Sequence, residues 1–220
     1  MFLKFAVGVA AVLAVAAPAQ ASEQRTETAA PQAAEQSADL RKTVKRPKFQ
    51  MPFTCNQKWY AEASTRDHNP ALDFWLGDHN TNKPSTYGQW VRASASGKVV
   101  LAYKDDQAGH VVQIRHTFKT GKDWFTTYLH LKKRSVKVGQ TVPMGKKIGE
   151  VGRSGPTANG VNHLHYEQAA SYGKTADWGN SGAPRKAVKF NNKTYTGVGE
   201  SWQIRSRNTG AQDSCGRPGR

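Results

Sequence analysis

The stretch GKVVLAYKDDQAGHVVQIRHTFKTGKDWFTTYLHL, residues 97–131, determines the fold class that the sequence predicts. It contains three short runs rich in valine, isoleucine and aromatic residues, at 97–103, 110–118 and 124–131. Glycine, aspartate and lysine separate these runs at close intervals, which is typical of β-strands joined by turns. Further runs of this kind lie at 137–142, 146–152, 162–169, 186–190, 194–198 and 202–206. Because no long stretch has the periodicity of a helix, we predict an all-β domain.

The first 21 residues have the three parts of a secretory signal peptide. Lys4 is the only charge ahead of an apolar run, and the small-residue triplet Ala19-Gln20-Ala21 follows as the cleavage site. The apolar run is short for a bilayer span, which needs roughly 20 residues. An uncleaved signal anchor is the alternative. We therefore predict that residues 1–21 are a signal peptide and that the protein is secreted without a transmembrane span.

The rest of the chain divides into a linker and one domain. Residues 22–51 contain few large apolar side chains and end in a basic run, so we predict a flexible linker that cannot bury enough apolar area to order itself. Residues 52–220 contain all the strand-like runs and are sufficient for one hydrophobic core. We predict that this domain carries extra strands after residue 170 and that the protein is a monomer.

The charge of the chain is strongly positive. It has 32 Lys and Arg residues against 16 Asp and Glu residues, a formal net charge of +16. Such a charge concentrates a protein on anionic surfaces, which include nucleic acid, phospholipid headgroups and cell-wall polymers. No zinc-finger, helix-turn-helix or aromatic RNA-binding motif is present, so we expect no specific nucleic-acid partner.

The two cysteines, Cys55 and Cys215, lie near the two ends of the predicted domain. In an exported protein an isolated pair of cysteines most often forms a disulfide. Closing so long a loop would stabilise the domain by roughly 3–5 kcal/mol. A reactive cysteine is the alternative reading.

Two histidines, His163 and His165, stand one residue apart in the run VNHLHYEQA, residues 161–169. In a strand, residues i and i+2 project to the same face, so both imidazoles lie on one face and Leu164 lies on the other. Two neighbouring imidazoles are either donors for a transition metal or part of a polar face. By the same alternation, His116 is expected to face the core and to be hydrogen-bonded, whereas His79 and His110 are expected at the surface.

Three more residues are candidates for a site. His130 stands at the end of a strand on the same face as Tyr128, where sites are commonly assembled. His68 precedes a proline, and Asp73 lies between two large apolar residues, where a carboxylate needs a cation or bonds from backbone amides. Three ligands drawn from His and Asp, with water in the fourth position, hold catalytic zinc. The residues alone do not decide which three would ligate.

Four segments together resemble the lysostaphin-type (LytM-like) zinc metalloendopeptidases, which cleave peptidoglycan. These segments are HNPALDF (68–74), TTYLHL (126–131), VKVGQTVPMGKKIGEVGRSG (136–155) and NHLHYE (162–167). Each segment alone is weak evidence, but the last three follow in the order and spacing of the family. The resemblance implies a mostly antiparallel sheet or sandwich with an active-site groove.

The resemblance also implies a role for each candidate residue. His68, Asp73 and His165 match the ligands of one zinc ion, and His130 and His163 match the two catalytic histidines that are not ligands. One departure from the family is visible: this chain has one residue more than the usual spacing between His68 and Asp73. We expect a bulge or a turn at Pro70 to accommodate it.

The function implied is that of a secreted endopeptidase that hydrolyses peptide bonds of bacterial peptidoglycan by a zinc-activated water. Its basic surface would hold it on anionic cell-wall polymers. One alternative is a catalytically inactive LytM-like module that binds the cell wall and activates other wall hydrolases. Another is a secreted cationic polymer-binding protein without catalytic activity.

Overall fold

The computed structural model describes residues 46–63, 65–66, 68–77, 84–116, 122–179 and 183–209. The predicted signal peptide, most of the predicted linker, His79 and Cys215 lie outside these ranges, so the signal peptide and the Cys55–Cys215 disulfide stay predictions. Within these ranges, no helix is long and apolar enough to cross a membrane.

Fourteen strands form in the described residues. They are β1 (Lys58–Ala63), β2 (Leu72–Leu76), β3 (Trp90–Arg92), β4 (Gly97–Asp105), β5 (Gly109–His116), β6 (Asp123–Leu131), β7 (Lys133–Arg134), β8 (Thr141–Val142), β9 (Lys147–Glu150), β10 (Leu164–Ser171), β11 (Arg185–Lys186), β12 (Val188–Phe190), β13 (Lys193–Tyr195) and β14 (Glu200–Arg205). Two 3-10 turns, Pro84–Thr86 and Pro156–Ala158, are the helical segments among the described residues.

Nine of the strands form one large sheet in the order β14-β1-β2-β10-β6-β5-β4-β8, with β11 pairing with β10. Strands β3, β9 and β7 form a second sheet, and β12 and β13 form a third. The strand pairings within these sheets are antiparallel. The prediction of an all-β, mostly antiparallel fold is therefore confirmed.

The core lies against one face of the large sheet. Leu72 and Phe74 of β2, Tyr128 of β6, and Leu164 and Tyr166 of β10 belong to the same buried apolar cluster. Residues at i and i+2 of a strand share a face, so the residues between them project to the opposite face. The last residues of the predicted linker also contribute to this core, because Phe49 and Met51 are buried in it.

The prediction for His116 is confirmed. It lies at the end of β5 and is 1% exposed. Its Nδ1 lies 2.8 Å from the main-chain oxygen of Ser96, and its Nε2 lies 2.9 Å from Oγ1 of Thr126. Burial lowers the pKa of His116 to about 4, although the hydrogen bond to Ser96 opposes this shift.

Candidate metal centre

Strand β10 is the centre of the candidate site, because it lies between β2 and β6 in the large sheet. His165 of β10 is paired directly with Asp73 of β2. Directly paired residues project to the same face with their Cβ atoms about 5 Å apart. The strand register therefore places an imidazole beside a carboxylate, on the face opposite the core.

His163 and His165 share this face, as the alternation predicted, and Leu164 between them lies in the core. Nδ1 of His165 lies 3.2 Å from Oδ1 of Asp73, and Nε2 of His163 lies 3.6 Å from the same oxygen. The carboxylate of Asp73 therefore contacts both rings.

His68 lies in the turn that precedes β2. Its main-chain oxygen accepts a hydrogen bond from the amide of Ala71 at 2.9 Å, and the Asn69–Pro70 peptide bond is cis. This is the arrangement of a β-turn with a proline in its third position. The predicted turn at Pro70 is thus present, directly before β2.

The turn brings His68 to the paired strands. Its Nε2 lies 3.0 Å from Oδ1 of Asp73 and 3.0 Å from Nδ1 of His165. The turn is also fixed from outside, because Oδ1 of Asn69 accepts hydrogen bonds from Oγ1 of Thr196 and from the amide of Gly197, both at 3.0 Å. The segment after β13 therefore holds the loop that carries His68.

These three residues form a group that could hold a metal ion. The three potential ligand atoms lie 3.0 to 3.2 Å from one another. Ligands bound tetrahedrally at about 2.0–2.1 Å, as on zinc, lie about 3.3 Å apart. Two imidazole nitrogens and one carboxylate oxygen are also a donor set that zinc accepts. The residues present therefore fit a zinc ion.

The electrostatics of the site favour a cation. Burial opposes the ionisation of Asp73, but the neighbouring imidazoles of His163, His68 and His165 outweigh it and hold the pKa of Asp73 well below its usual value. Burial likewise opposes protonation of His165, but the carboxylates of Asp73 and Glu167 outweigh it and raise the pKa of His165 to about 9. A positive charge is thus stabilised at this point.

Sequence reasoning missed Glu167, the carboxylate behind His165. Oε1 of Glu167 lies 2.9 Å from Nε2 of His165, on the side of the ring away from Asp73. Metal-bound histidines commonly donate their second nitrogen to a carboxylate in this way, which fixes the ring orientation. The signal was present in the sequence, because Glu167 follows His165 by two residues and therefore projects to the same face.

The expected orientation of His130 was wrong. Tyr128 lies in the core, with its ring 5.4 Å from that of Tyr166, whereas the ring of His130 lies 4.9 Å from that of His163. The two residues therefore project to opposite faces. The physical reason is the φ of 61° at His130, a left-handed conformation that interrupts the alternation of the strand. Leu131 then returns to the core.

His130 is held by main-chain oxygens. Its Nδ1 lies 3.1 Å from the main-chain oxygen of Ala108 and 3.1 Å from that of Ser154. Because both oxygens are acceptors, Nδ1 carries the proton and is the hydrogen-bond donor. Burial, followed by the nearby His163 and His165, lowers the pKa of His130 to about 3. His130 is therefore a neutral ring with Nε2 as the free acceptor.

The loop between β9 and β10 approaches this histidine closely at Gly152. A Cβ atom on Gly152 would lie 2.2 Å from the amide nitrogen of Lys132 and 2.7 Å from the main-chain oxygen of His130. The oxygen of Gly152 also accepts a hydrogen bond from the amide of His163 at 3.1 Å. Glycine at 152 thus allows one loop to position both histidines.

His163 is oriented by two contacts. Its Nδ1 lies 3.0 Å from the main-chain oxygen of Val161, and its ring is stacked on that of Trp75 with the centroids 5.7 Å apart and the planes at 22°. Trp75 was not predicted as a site residue, although it follows Asp73 by two residues in β2. The five predicted site residues therefore lie together, with His130 and His163 beside the three potential ligands.

A match to a known family covers much of this region. Residues 81–178 match the model of peptidase family M23. The matched range contains His130, His163 and His165, whereas His68 and Asp73 precede it. The other two predicted site residues therefore lie outside the matched range.

Two curated relatives have similar sequences. An uncharacterized metalloprotease of Haemophilus influenzae is 35% identical over 117 residues, which are 53% of this chain and 21% of the relative. Peptidoglycan DD-endopeptidase ShyA of Vibrio cholerae serotype O1 is 40% identical over 93 residues, which are 42% of this chain and 20% of the relative. The alignments thus span about a fifth of the length of each relative.

A solved peptidase structure also aligns with this chain. The structure of lysostaphin, an antimicrobial peptidase from Staphylococcus simulans, aligns with a TM-score of 0.45 at 23% sequence identity. The alignment covers 64% of this chain and 52% of lysostaphin.

Proposed function

We propose that this chain, of which residues 81–178 match the model of peptidase family M23, is a secreted, zinc-dependent endopeptidase that hydrolyses peptide bonds of bacterial peptidoglycan. The observation that carries this proposal is the convergence of His68, Asp73 and His165, with their potential ligand atoms 3.0 to 3.2 Å apart. Two further imidazoles, His130 and His163, lie beside this group.

In this proposal His68 would hold zinc through Nε2, Asp73 through Oδ1 and His165 through Nδ1. Held by these three residues, the ion would supply a water with a pKa near 7 and a positive charge that polarises the scissile carbonyl group. Glu167 orients the ring of His165 by accepting the hydrogen bond from its Nε2.

His130 and His163 carry out the proton transfer and the stabilisation of the oxyanion. Both rings have Nδ1 next to main-chain oxygens, so Nε2 is the nitrogen that each offers to the substrate and the water. Nε2 of His163 lies 3.6 Å from Oδ1 of Asp73, and burial lowers the pKa of His130. We propose that one of these two histidines removes the proton of the water and that the other stabilises the oxyanion.

The relative and the charge both support the proposed substrate class. The Vibrio cholerae relative is a peptidoglycan endopeptidase by name, and it matches 93 residues of this chain. The net charge of +16 supports binding to the anionic polymers of a cell wall, which raises the local enzyme concentration without selecting a peptide bond. Secretion by the predicted signal peptide would bring the enzyme to this substrate.

The proposal is tested by digesting purified peptidoglycans of known cross-link type and identifying the new amino termini by mass spectrometry. The zinc-loaded wild-type protein is expected to release defined peptides, and His163→Ala is expected to bind zinc but to release none. If the zinc-loaded wild-type protein releases no peptide from any wall but stimulates another wall hydrolase, the proposal is wrong and the chain is an activating module.

A further inference from the structure

A buried carboxylate lies behind the candidate zinc ligand His165. Glu167 is 1% exposed, and its Oε1 lies next to Nε2 of His165 at 2.9 Å and the amide of Gly179 at 2.9 Å. Its second oxygen has no hydrogen-bond partner among the described residues. A buried carboxylate in this position orients the imidazole only if its own charge is compensated.

Arg185 brings a positive charge to this carboxylate from a remote part of the chain. It lies in β11, which pairs with β10 through Ala169 and Arg185. The side chain of Arg185 is 3% exposed, and its Nη1 lies 3.7 Å from Oε1 of Glu167. Since the family match ends at residue 178, this arginine lies in the C-terminal strands that follow it.

The same guanidinium group also reaches the other histidine ligand. Nη1 of Arg185 donates a hydrogen bond to the main-chain oxygen of His68 at 2.9 Å. Within the described residues, Nδ1 of the His68 ring has no hydrogen-bond partner, so no acceptor fixes this ring from behind. The position of Nε2 of His68 therefore depends on the main chain that Arg185 holds.

We propose that Arg185 is a positioning residue of the metal centre, which ties the loop of His68 to the carboxylate that orients His165. This inference rests on the proposed function, because it concerns the zinc site on which that function depends. A planar guanidinium suits the role, since its several N–H groups point in fixed directions and it stays charged when buried. The C-terminal strands thereby contribute to a metal centre whose ligands lie elsewhere in the chain.

The test is the zinc affinity of Arg185→Met and Arg185→Lys, measured on the full chain by competition with a chromogenic chelator. Arg185→Met is expected to raise the dissociation constant of zinc about 10- to 100-fold, the usual effect of losing an outer-shell partner. Arg185→Lys retains the charge but not the planar guanidinium group, and its zinc affinity is expected to fall several-fold. A double-mutant cycle with Glu167→Gln should be non-additive, because Arg185 acts partly through that carboxylate.

Arg205→Met is the matched control. Nη1 of Arg205 also donates to a main-chain oxygen at 2.9 Å, that of Asn56, but it lies on β14 away from the site. Its zinc affinity is expected to equal that of the wild type within about twofold. Thermal unfolding of the metal-free variants distinguishes a positioning role from a merely structural one. A merely structural role would lower the unfolding midpoint and leave the zinc affinity of the folded protein unchanged.

Unchanged zinc affinity in folded Arg185→Met, or a loss equal to that of Arg205→Met, would overturn the inference but not the proposed function. If Arg185→Met does not fold, Arg185→Lys decides: a several-fold weaker affinity supports the inference, and wild-type affinity overturns it. A wild-type protein that binds no zinc would overturn the proposed function and the inference with it.

Discussion

Two histidines of the large sheet are buried to a similar degree but prefer opposite charge states. His116 is 1% exposed and His165 is 7% exposed. Around His116 the polar neighbours are a main-chain oxygen and a hydroxyl group, and burial lowers its pKa to about 4. Around His165 burial is outweighed by the carboxylates of Asp73 and Glu167, and its pKa rises to about 9.

The comparison shows that the carboxylates, rather than the burial of the imidazoles, distinguish the candidate site from the core. A buried imidazole without a negative charge beside it stays neutral, and there is nothing at that point to stabilise a cation. Between Asp73 and Glu167 a positive charge is favoured, whether it belongs to a proton or to a metal ion. The pairing of His165 in β10 with Asp73 in β2 therefore determines where the candidate site lies.

The largest expected effect is the difference in zinc content and activity between a variant of His165 and a variant of His116. His165→Ala is expected to lose stoichiometric zinc and to reduce peptidoglycan hydrolysis at least about a thousandfold, because the metal loses a ligand and the reaction loses its metal-derived nucleophile. His116→Gln should retain both. Elemental analysis and release of wall peptides measure the two effects. Full zinc occupancy in His165→Ala would show that another group holds the ion.

Removing one of the two carboxylate charges beside His165 should make its surroundings more like those of His116. Asp73→Asn preserves the size of the side chain but removes the negative charge, and we expect zinc affinity to fall at least about a hundredfold. Chelator competition measures the change. His163→Ala, which leaves the three ligands intact, is the control and should bind zinc almost as the wild type does. Equal losses in the two variants would contradict the assigned ligand set.

Moving His130 without altering any charge separates catalysis from metal binding. In Gly152→Ala the new Cβ would meet the main chain of Lys132 and the oxygen of His130, so the backbone beneath His130 must shift. A misplacement of about 1 Å can reduce the rate about a hundredfold. The turnover rate should fall by that order while zinc content stays at one ion per chain.

Gly160→Ala is the control for this effect. Gly160 also has a positive φ, of 69°, so alanine is strained there too, but nothing lies within 4 Å of the added Cβ. Its turnover rate should stay within about twofold of the wild type, since it lacks the steric clash at His130. If both glycine variants lose the same activity, backbone strain rather than the position of His130 is responsible.

The smallest effect is the contribution of His116 to acid stability. The pKa of His116 is about 4 in the folded protein and about 6.5 when unfolded, so between these values the unfolded state binds a proton that the folded state does not. The free energy of unfolding therefore decreases as the pH falls through this window. At pH 5 the loss from this group is about 2 kcal/mol.

His116→Gln should lack this contribution, so its free energy of unfolding should depend less steeply on pH between 6.5 and 4. Urea denaturation of the metal-free wild type and variant at several pH values measures the difference. Parallel pH dependence in the two proteins would mean that His116 is accessible to protons in the folded state.

Alternation along the strands explains which parts of this account the sequence could predict. The strands β4, β5 and β6 overlap runs of valine, isoleucine and aromatics, and the extended segment that leads into β10 places His163 and His165 on one face. The orientation of His130 could not be predicted, because a single left-handed residue at the end of β6 reverses the alternation. A left-handed residue other than glycine is uncommon, and the run of strand-forming residues around His130 does not mark its position.

Contacts between residues that are distant in sequence could not be predicted either. The hydrogen bond from Arg185 to the main chain of His68 joins residues 117 positions apart, and it depends on the pairing of β11 with β10. Glu167 is different, because its position two residues after His165 made it predictable by the same alternation that grouped the two histidines.

The most direct test of the account is anomalous diffraction at the zinc edge from crystals of the purified protein. We predict one zinc peak, at about 2.0–2.2 Å from Nε2 of His68, Oδ1 of Asp73 and Nδ1 of His165. His130 and His163 should lie outside bonding distance of that peak. A peak bonded to either of these two histidines, or the absence of a peak between His68, Asp73 and His165 in zinc-treated crystals, would contradict the account.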